Sequence, residues 1–270
     1  MAPMGTPSSD RPIVLVSNRG PVAFETTDDG SLVAKRGAGG LVSGIGPLVA
    51  SSDVTWLAAA MTDGDRAAAA TGLVEADGFR VRLLAIDAET YRLAYDVVSN
   101  EVLWFAHHGL WDLAREPSFD RRWPTAWDAY RRLNQAFADA VAEVAPEGAA
   151  VLIQDYHLCL VAAHLRDRRP DVRCVHFSHT PFAPPLWLGA LPAEAARELL
   201  AGMAAHRACG FHTQRWADDF AASARELADL EPQTFVSPLA SDPGDIRAVA
   251  ASPSVPRPWR PSRRESATAR

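Results

Sequence analysis

The sequence is poor in cysteine: Cys159, Cys174 and Cys209 are the full set, with no CxxC pair among them. An odd number of thiols, each inside an apolar segment, reads as buried free cysteine and argues against a disulfide framework or a zinc knuckle. No apolar run approaches the ~20 residues needed to span a bilayer. The opening MAPMGTPSSDRP lacks a basic stretch followed by an apolar one, so a secretory signal is not expected. Positive charge is not in surplus, with a formal charge of −6 and a pI near 5.7, which argues against wrapping around nucleic acid. Repeats of fixed period are also absent. These absences lead to the expectation of a soluble, cytoplasmic protein with no membrane and no nucleic-acid partner.

At 270 residues the chain is long enough for one large domain or two small ones. Strand-like and helix-like segments alternate along it. Residues 13–17 (IVLVS) form a short β-branched run that ends at Asn18 and Arg19, as a strand covered on both faces would. Residues 31–36 read as one arm of a hairpin, and GAGGLVSGIGPLV as a glycine-rich turn entering a helix. Further strands are predicted at 54–59, 79–85, 149–154, 172–178, 207–212 and 233–237. Helices are predicted at 125–144, 156–169, 192–205 and 214–229. The first is the clearest, with Trp127, Tyr130, Leu133, Phe137 and Val141 recurring every three or four residues. Such alternation predicts an α/β fold with a doubly wound, Rossmann-like parallel sheet. Residues 1–10 and the Pro-, Arg- and Ser-rich stretch 252–270 are expected to be disordered. The stretch from Ser252 offers too little apolar surface to offset the entropy of ordering it. It reads as a scar or out-of-frame sequence, or as a basic interaction arm.

Ligands of open parallel sheets sit at the carboxyl ends of the strands. Four polar clusters fall there: Ser17-Asn18-Arg19, Gln154-Asp155-Tyr156-His157, Ser178-His179-Thr180-Pro181 and Phe211-His212-Thr213-Gln214. Arg19 after a buried strand is suited to gripping a phosphate through its planar fork, or to pairing with a neighbouring carboxylate. Gly37, Gly39 and Gly40 precede a helix, where backbone amides can hold a diphosphate, or simply make a turn. Asp155 and His157 suit proton transfer or metal binding, and Asp155 alone suits a helix N-cap. His176 and His179 would point to opposite faces of a strand, and His107-His108 diverge likewise, so no metal site is predicted. Trp56, Tyr95 and Trp104 are candidates for stacking on sugar rings, or for the core.

Seven segments, VLVSNRGPV, GAGGLVSGI, SNEVLWFAHH, WDAYRRLNQAFADAV, VLIQDYHLCLVAAHLR, HFSHTPF and GFHTQRWADDF, run in the order found in trehalose-6-phosphate synthases. The chain resembles the actinobacterial members of this retaining glycosyltransferase family 20, over residues from about Ile13 to about Arg247. The resemblance implies the N-terminal, acceptor-side half of a two-Rossmann-domain (GT-B) enzyme across 11–251, with the donor domain missing. It implies transfer of glucose from UDP-glucose, or another nucleotide-glucose, to glucose 6-phosphate, with no metal and no further cofactor. Arg19 would hold the acceptor phosphate, while Tyr95 and Trp104 would line the acceptor pocket. Asp155 with Tyr156 would hold acceptor hydroxyls near the reacting carbon. Gly39 and Gly40 would approach the donor diphosphate, and His179 would contact the donor glucose near its anomeric centre. His212, a further donor contact, stands where many members have Gln, and Gln154 where many have His.

The implied mechanism is front-face substitution, which relies on positioning and charge stabilisation more than on a protein nucleophile. Without a donor domain the chain is expected to be nearly inactive and to self-associate through an uncovered face. Two other readings stay open: a non-catalytic module binding a sugar phosphate or a partner, and a related enzyme coupling another sugar or a cyclitol.

Overall fold

The run IVLV forms β1 (Ile13–Val16), whose side chains alternate between two apolar layers, Val14 and Val16 on one side and Leu15 on the other. This two-sided burial explains why the segment is apolar throughout rather than alternating. The computed structural model describes residues 11–37, 40–49, 53–111, 118–239 and 243–252. Of the expected disordered ends, 1–10 and 252–270, all but Ser252 lie outside the described residues.

Around β1 an eight-stranded sheet is built in the order β10-β9-β8-β7-β1-β4-β6-β5. Its other members are β4 (Thr55–Ala59), β5 (Leu73–Ala76), β6 (Phe79–Leu84), β7 (Ala150–Gln154), β8 (Arg173–Ser178), β9 (Ala208–Phe211) and β10 (Thr234–Val236). The sheet is not wholly parallel, as the sequence suggested. β5 runs antiparallel to β6, joined through Asp77 and Gly78, both at positive φ. An Asp-Gly pair adopts the primed turn that a two-residue hairpin requires, so the edge strand doubles back. The other seven strands are parallel, and β1 pairs with β4 on one side and β7 on the other. Successive strands are added on one side of β1 and then on the other. That doubly wound order places the reversal between β1 and β7. A separate antiparallel pair, β2 (Val22–Thr26) and β3 (Leu32–Arg36), accounts for the expected hairpin arm.

Helix α1 (Gly40–Val49) follows the glycine-rich turn. Helix α2 (Asp63–Thr71) was not foreseen. It opens on a capping box between Thr62 and Asp65, and Asp65 also accepts the Phe24 backbone amide at 2.7 Å. Residues 88–108 were not foreseen as helical either. They form α3 (Ala88–Arg92), a wide π-helical stretch (Leu93–Leu103) and α4 (Trp104–His108) without a break. Helix α5 (Trp123–Val144) confirms its periodicity, burying Trp127, Tyr130, Leu133, Phe137 and Val141. The predicted helix 156–169 is instead a 3-10 turn (Tyr156–Leu158) followed by α6 (Val161–Leu165). Side chains from α5 take the backbone bonds between them: Asn134 bridges the His157 carbonyl and the Leu160 amide at 3.1 and 2.9 Å. Tyr130 donates to the Tyr156 carbonyl at 2.6 Å. The helices α7 (Pro185–Leu188), α8 (Ala193–Ala204) and α9 (Gln214–Ala228) complete this unit, which ends at Pro238. A second unit begins at Leu239, inside the expected 11–251 domain, and its described part is the single helix α10 (Pro243–Ala251). Among the described residues no helix is long and apolar enough to cross a membrane.

Three histidines are sealed in this core: His107, His176 and His206. Burial holds His206 down to about 4 and His107 to about 3, and His176 well below its ordinary 6.5. The unfolded chain takes up these protons near 6.5 while the folded chain refuses them. Their contribution to stability is therefore complete above neutrality and is lost as pH falls through 6.5 toward 4. Each group can contribute a slope of up to about 1.4 kcal/mol per pH unit. We expect the melting temperature to drop steadily between pH 7.5 and pH 5. A His176→Leu variant should show a shallower drop in the same scan, and parallel curves for the two proteins would contradict this account.

Candidate active site at the sheet switch point

The end of β1 is fixed by its neighbour β4. Ser17 donates its amide to the Leu57 carbonyl, and Asn18 accepts from the Ala59 amide, each at 3.1 Å. Trp56 Nε1 donates to Ser17 Oγ at 2.7 Å, and Ser17 Oγ donates to the Arg19 carbonyl at 2.6 Å. Trp56 is only 1% exposed and packs edge-on against Phe79, so it is core and cannot stack on a sugar. Its indole instead shapes the turn that presents Arg19. The Arg19 side chain is exposed and donates to the Tyr95 hydroxyl at 3.0 Å, which holds its guanidinium above the usual range. Among the described residues its hydrogen-bond partner is this phenol rather than a carboxylate.

Tyr95 belongs to a stack of rings. It lies 5.4 Å from Tyr91 and 5.5 Å from His157, and His157 lies 4.1 Å from Tyr156. Asn18 clamps the far end by donating to the Tyr91 hydroxyl at 3.0 Å. Burial, and then the nearby Arg19 charge, keep His157 neutral, down to about 3.

At the end of β7 the backbone of Asp155 turns to φ 70° and ψ 167°. That combination of positive φ and extended ψ is essentially glycine's alone, and costs a residue with a side chain about 1–3 kcal/mol. The carboxylate accepts the amides of Tyr156 and His179, each at 3.3 Å, so it caps the following turn as well as facing the site. Burial, offset in part by those two amides, lifts its pKa to about 6.

These two strand ends enclose a cleft of about 220 Å³. Ser17, Asn18 and Arg19 line it from β1, Gly40 to Val42 from the start of α1, then Tyr95, with Gln154, Asp155 and His157 from β7. Gly40 is exposed, with nothing within 4 Å of where a Cβ would stand. Arg19, Tyr95, Gly40 and Asp155 are thus brought together as foreseen. His179 and His212 are joined at 3.3 Å and stand behind Gln154, outside the lining. Tyr156 is buried, its hydroxyl 3.3 Å from Asn100 Oδ1, and Trp104 rests on His108, so neither of these expected acceptor contacts lines this cleft. Gly39 lies outside the described residues. Sequence reasoning assigned no role to Gln154 or Tyr91. The first stood in a polar strand-end cluster, and the second lies four residues before Tyr95, one helical turn away.

Among the described residues no group of three His, Cys, Asp or Glu side chains is arranged to hold a metal. A second cleft, of about 570 Å³ at the opposite strand ends, carries Arg166, Arg169, Arg173 and Arg207. There Arg169 donates to the Ala142, Ala145 and Pro146 carbonyls and pairs with Asp171, which is how cations serve helix C-termini.

Residues 11–251 match the model of glycosyltransferase family 20. The chain belongs to that family. A trehalose-6-phosphate synthase from Mycobacterium sp. (strain KMS) is 36% identical over 244 residues, covering 90% of this chain and 47% of its own length. A solved OtsA apo structure aligns with a TM-score of 0.72 at 27% identity, over 91% of this chain and 53% of the other. An E. coli structure described as trehalose-6-phosphate bound with UDP-2-fluoro glucose gives 0.70 at 26% identity, over 89% and 51%. This family 20 chain therefore spans about half the length of the relatives it matches.

The raised Asp155 pKa has a measurable consequence. A carboxyl that binds its proton more tightly when folded adds stability at low pH and loses it as pH rises from 3.8 through about 6. Asn would meet the same backbone at a similar cost and carries no charge. Asp155→Asn should therefore melt a few degrees higher than the parent at pH 7.5, with the difference closing below about pH 4. An equal or lower melting temperature at pH 7.5 would refute the assignment of a strained, desolvated carboxylate.

Proposed function

We propose that this cleft binds glucose 6-phosphate, with the acceptor phosphate on Arg19, and that the chain carries the acceptor side of a retaining transfer from UDP-glucose or another nucleotide-glucose. The observation that carries this reading is Arg19. Its guanidinium is exposed, steadied by a phenol instead of a carboxylate, and opens on the same cleft as Asp155. A fork of donors with its charge uncompensated is what a phosphate monoester needs. Asp155, largely ionised above pH 6, accepts from sugar hydroxyls. The amides at the start of α1, with Gly40 leaving open space, suit the donor diphosphate. The family membership and the relative named trehalose-6-phosphate synthase support the substrate pair, and the E. coli relative's UDP-2-fluoro glucose supports a nucleotide sugar as donor. The reaction requires no cofactor, and a cytoplasmic setting is part of the same proposal, since both substrates are phosphorylated metabolites.

The few cationic groups of the described cleft favour a second reading, in which the chain binds a sugar phosphate without turning it over. Neutralising a leaving diphosphate lowers a barrier by several kcal/mol, and a few kcal/mol is worth orders of magnitude in rate. In the described cleft that charge would meet only Arg19 and the α1 amides. Leu186 at 82% exposure and Leu110 at 49% also leave apolar surface that would favour self-association.

Calorimetric titration with glucose 6-phosphate should give saturable binding that Arg19→Ala abolishes, and no binding by the parent would remove the proposal. In a UDP-release assay with both substrates the 270-residue chain should turn over well below about one per second, the lower end of ordinary enzyme rates. A faster rate would eliminate the binding-only alternative.

A further inference from the structure

Gln154 ends β7 and is only 4% exposed, yet it lines the cleft beside Asp155 and Arg19. Its Oε1 lies 2.9 Å from His179 Nε2, and His179 Nδ1 lies 3.3 Å from His212 Nε2. Burial keeps the His179 ring neutral at ordinary pH, about 4, and a neutral imidazole has one N–H. The amide oxygen can only accept, so Nε2 of His179 carries the proton. Nδ1 is then a lone pair and takes its bond from the Nε2–H of His212. The donors all point one way, from His212 to His179 to Gln154, an arrangement in which each bond polarises the next. At its end stands the Gln154 side-chain nitrogen. That atom has no protein partner among the described residues and is not among the buried unpaired atoms, so it keeps some exposure on a residue that lines the cleft.

We infer that Gln154 is a ligand-contacting residue of this cleft, donating its side-chain N–H groups to a sugar hydroxyl oxygen, with His179 and His212 as residues that position the amide. A hydroxyl both donates and accepts. Gln154 supplies the donor and Asp155, one residue on, the acceptor, so the pair is complementary to the hydroxyl edge of a sugar whose phosphate lies on Arg19. For its ligand the inference rests on the sugar-phosphate reading above. The direction of the hydrogen-bond chain rests on the geometry alone. Both ring nitrogens of His179 are engaged by protein groups in this geometry.

Nitrogen-15 NMR of the imidazoles in the ligand-free chain tests the chain of bonds directly. His179 should show a protonated Nε2 and an unprotonated Nδ1, and the reverse tautomer overturns the proposal. Gln154→Glu preserves shape but loses both N–H donors. It should weaken glucose 6-phosphate binding by roughly tenfold, the worth of one lost hydrogen bond. The same change should raise the His179 titration, because a carboxylate then faces its N–H. Gln154→Leu should weaken binding to a similar extent, while His212→Gln, which keeps a donor, should bind nearly as the parent does. Should Gln154→Glu and Gln154→Leu both bind as tightly as the parent while Arg19→Ala does not bind, the inference fails and the sugar-phosphate reading stands. Should the parent itself not bind, the ligand contact falls together with that reading.

Discussion

The cleft exists because β1 is held between two parallel partners whose connections leave in opposite directions. The pairing of Ile13 with Ala150 and of Val14 with Thr55 sets the register on both sides. Once that register is fixed, Arg19 and Asp155 leave adjacent strand ends into the gap that no crossover covers. A slip of one residue would turn Leu15 and Val16 to the wrong layers. The apolar packing that stabilises β1 is therefore also what places the arginine opposite the carboxylate.

Around that gap the polar groups are ordered by burial more than by charge pairing. Trp56 holds Ser17, Ser17 holds the Arg19 carbonyl, and Asn18 holds Tyr91, which stacks on Tyr95. Arg19 is thus steadied without its charge being spent on a carboxylate. The histidines near it are neutral because the surroundings are dry, which leaves the guanidinium and the Asp155 carboxylate as the charged groups in the cleft lining. A wet site with more carboxylates would offer a phosphate less.

Much of this was legible in the sequence, for identifiable reasons. β1 and β7 are short apolar runs that, like β8, end in polar clusters, and α5 carries a strong periodic stripe, so these announce themselves. The antiparallel edge strand was missed because its turn, Asp77-Gly78, lies between two segments that read as one strand and a loop. The break after Leu158 was invisible because the side chain that bridges it, Asn134, is more than 20 residues away on another helix. At the site, Arg19, Tyr95, Gly40 and Asp155 met as foreseen. Trp56 did not take part, because an indole followed by apolar Leu57, Ala58 and Ala59 was drawn into the sheet's inner layer. Gln154 went unassigned because its place next to His179 depends on two neighbouring strands, which no single segment reveals.

The left-handed backbone at Asp155 also acts as a filter on heredity. A mutation there must first satisfy a peptide geometry that glycine alone adopts without strain. Drift at this codon toward glycine or asparagine would therefore remove the anion from the cleft with no cost in folding, leaving an intact protein and no trace in its abundance.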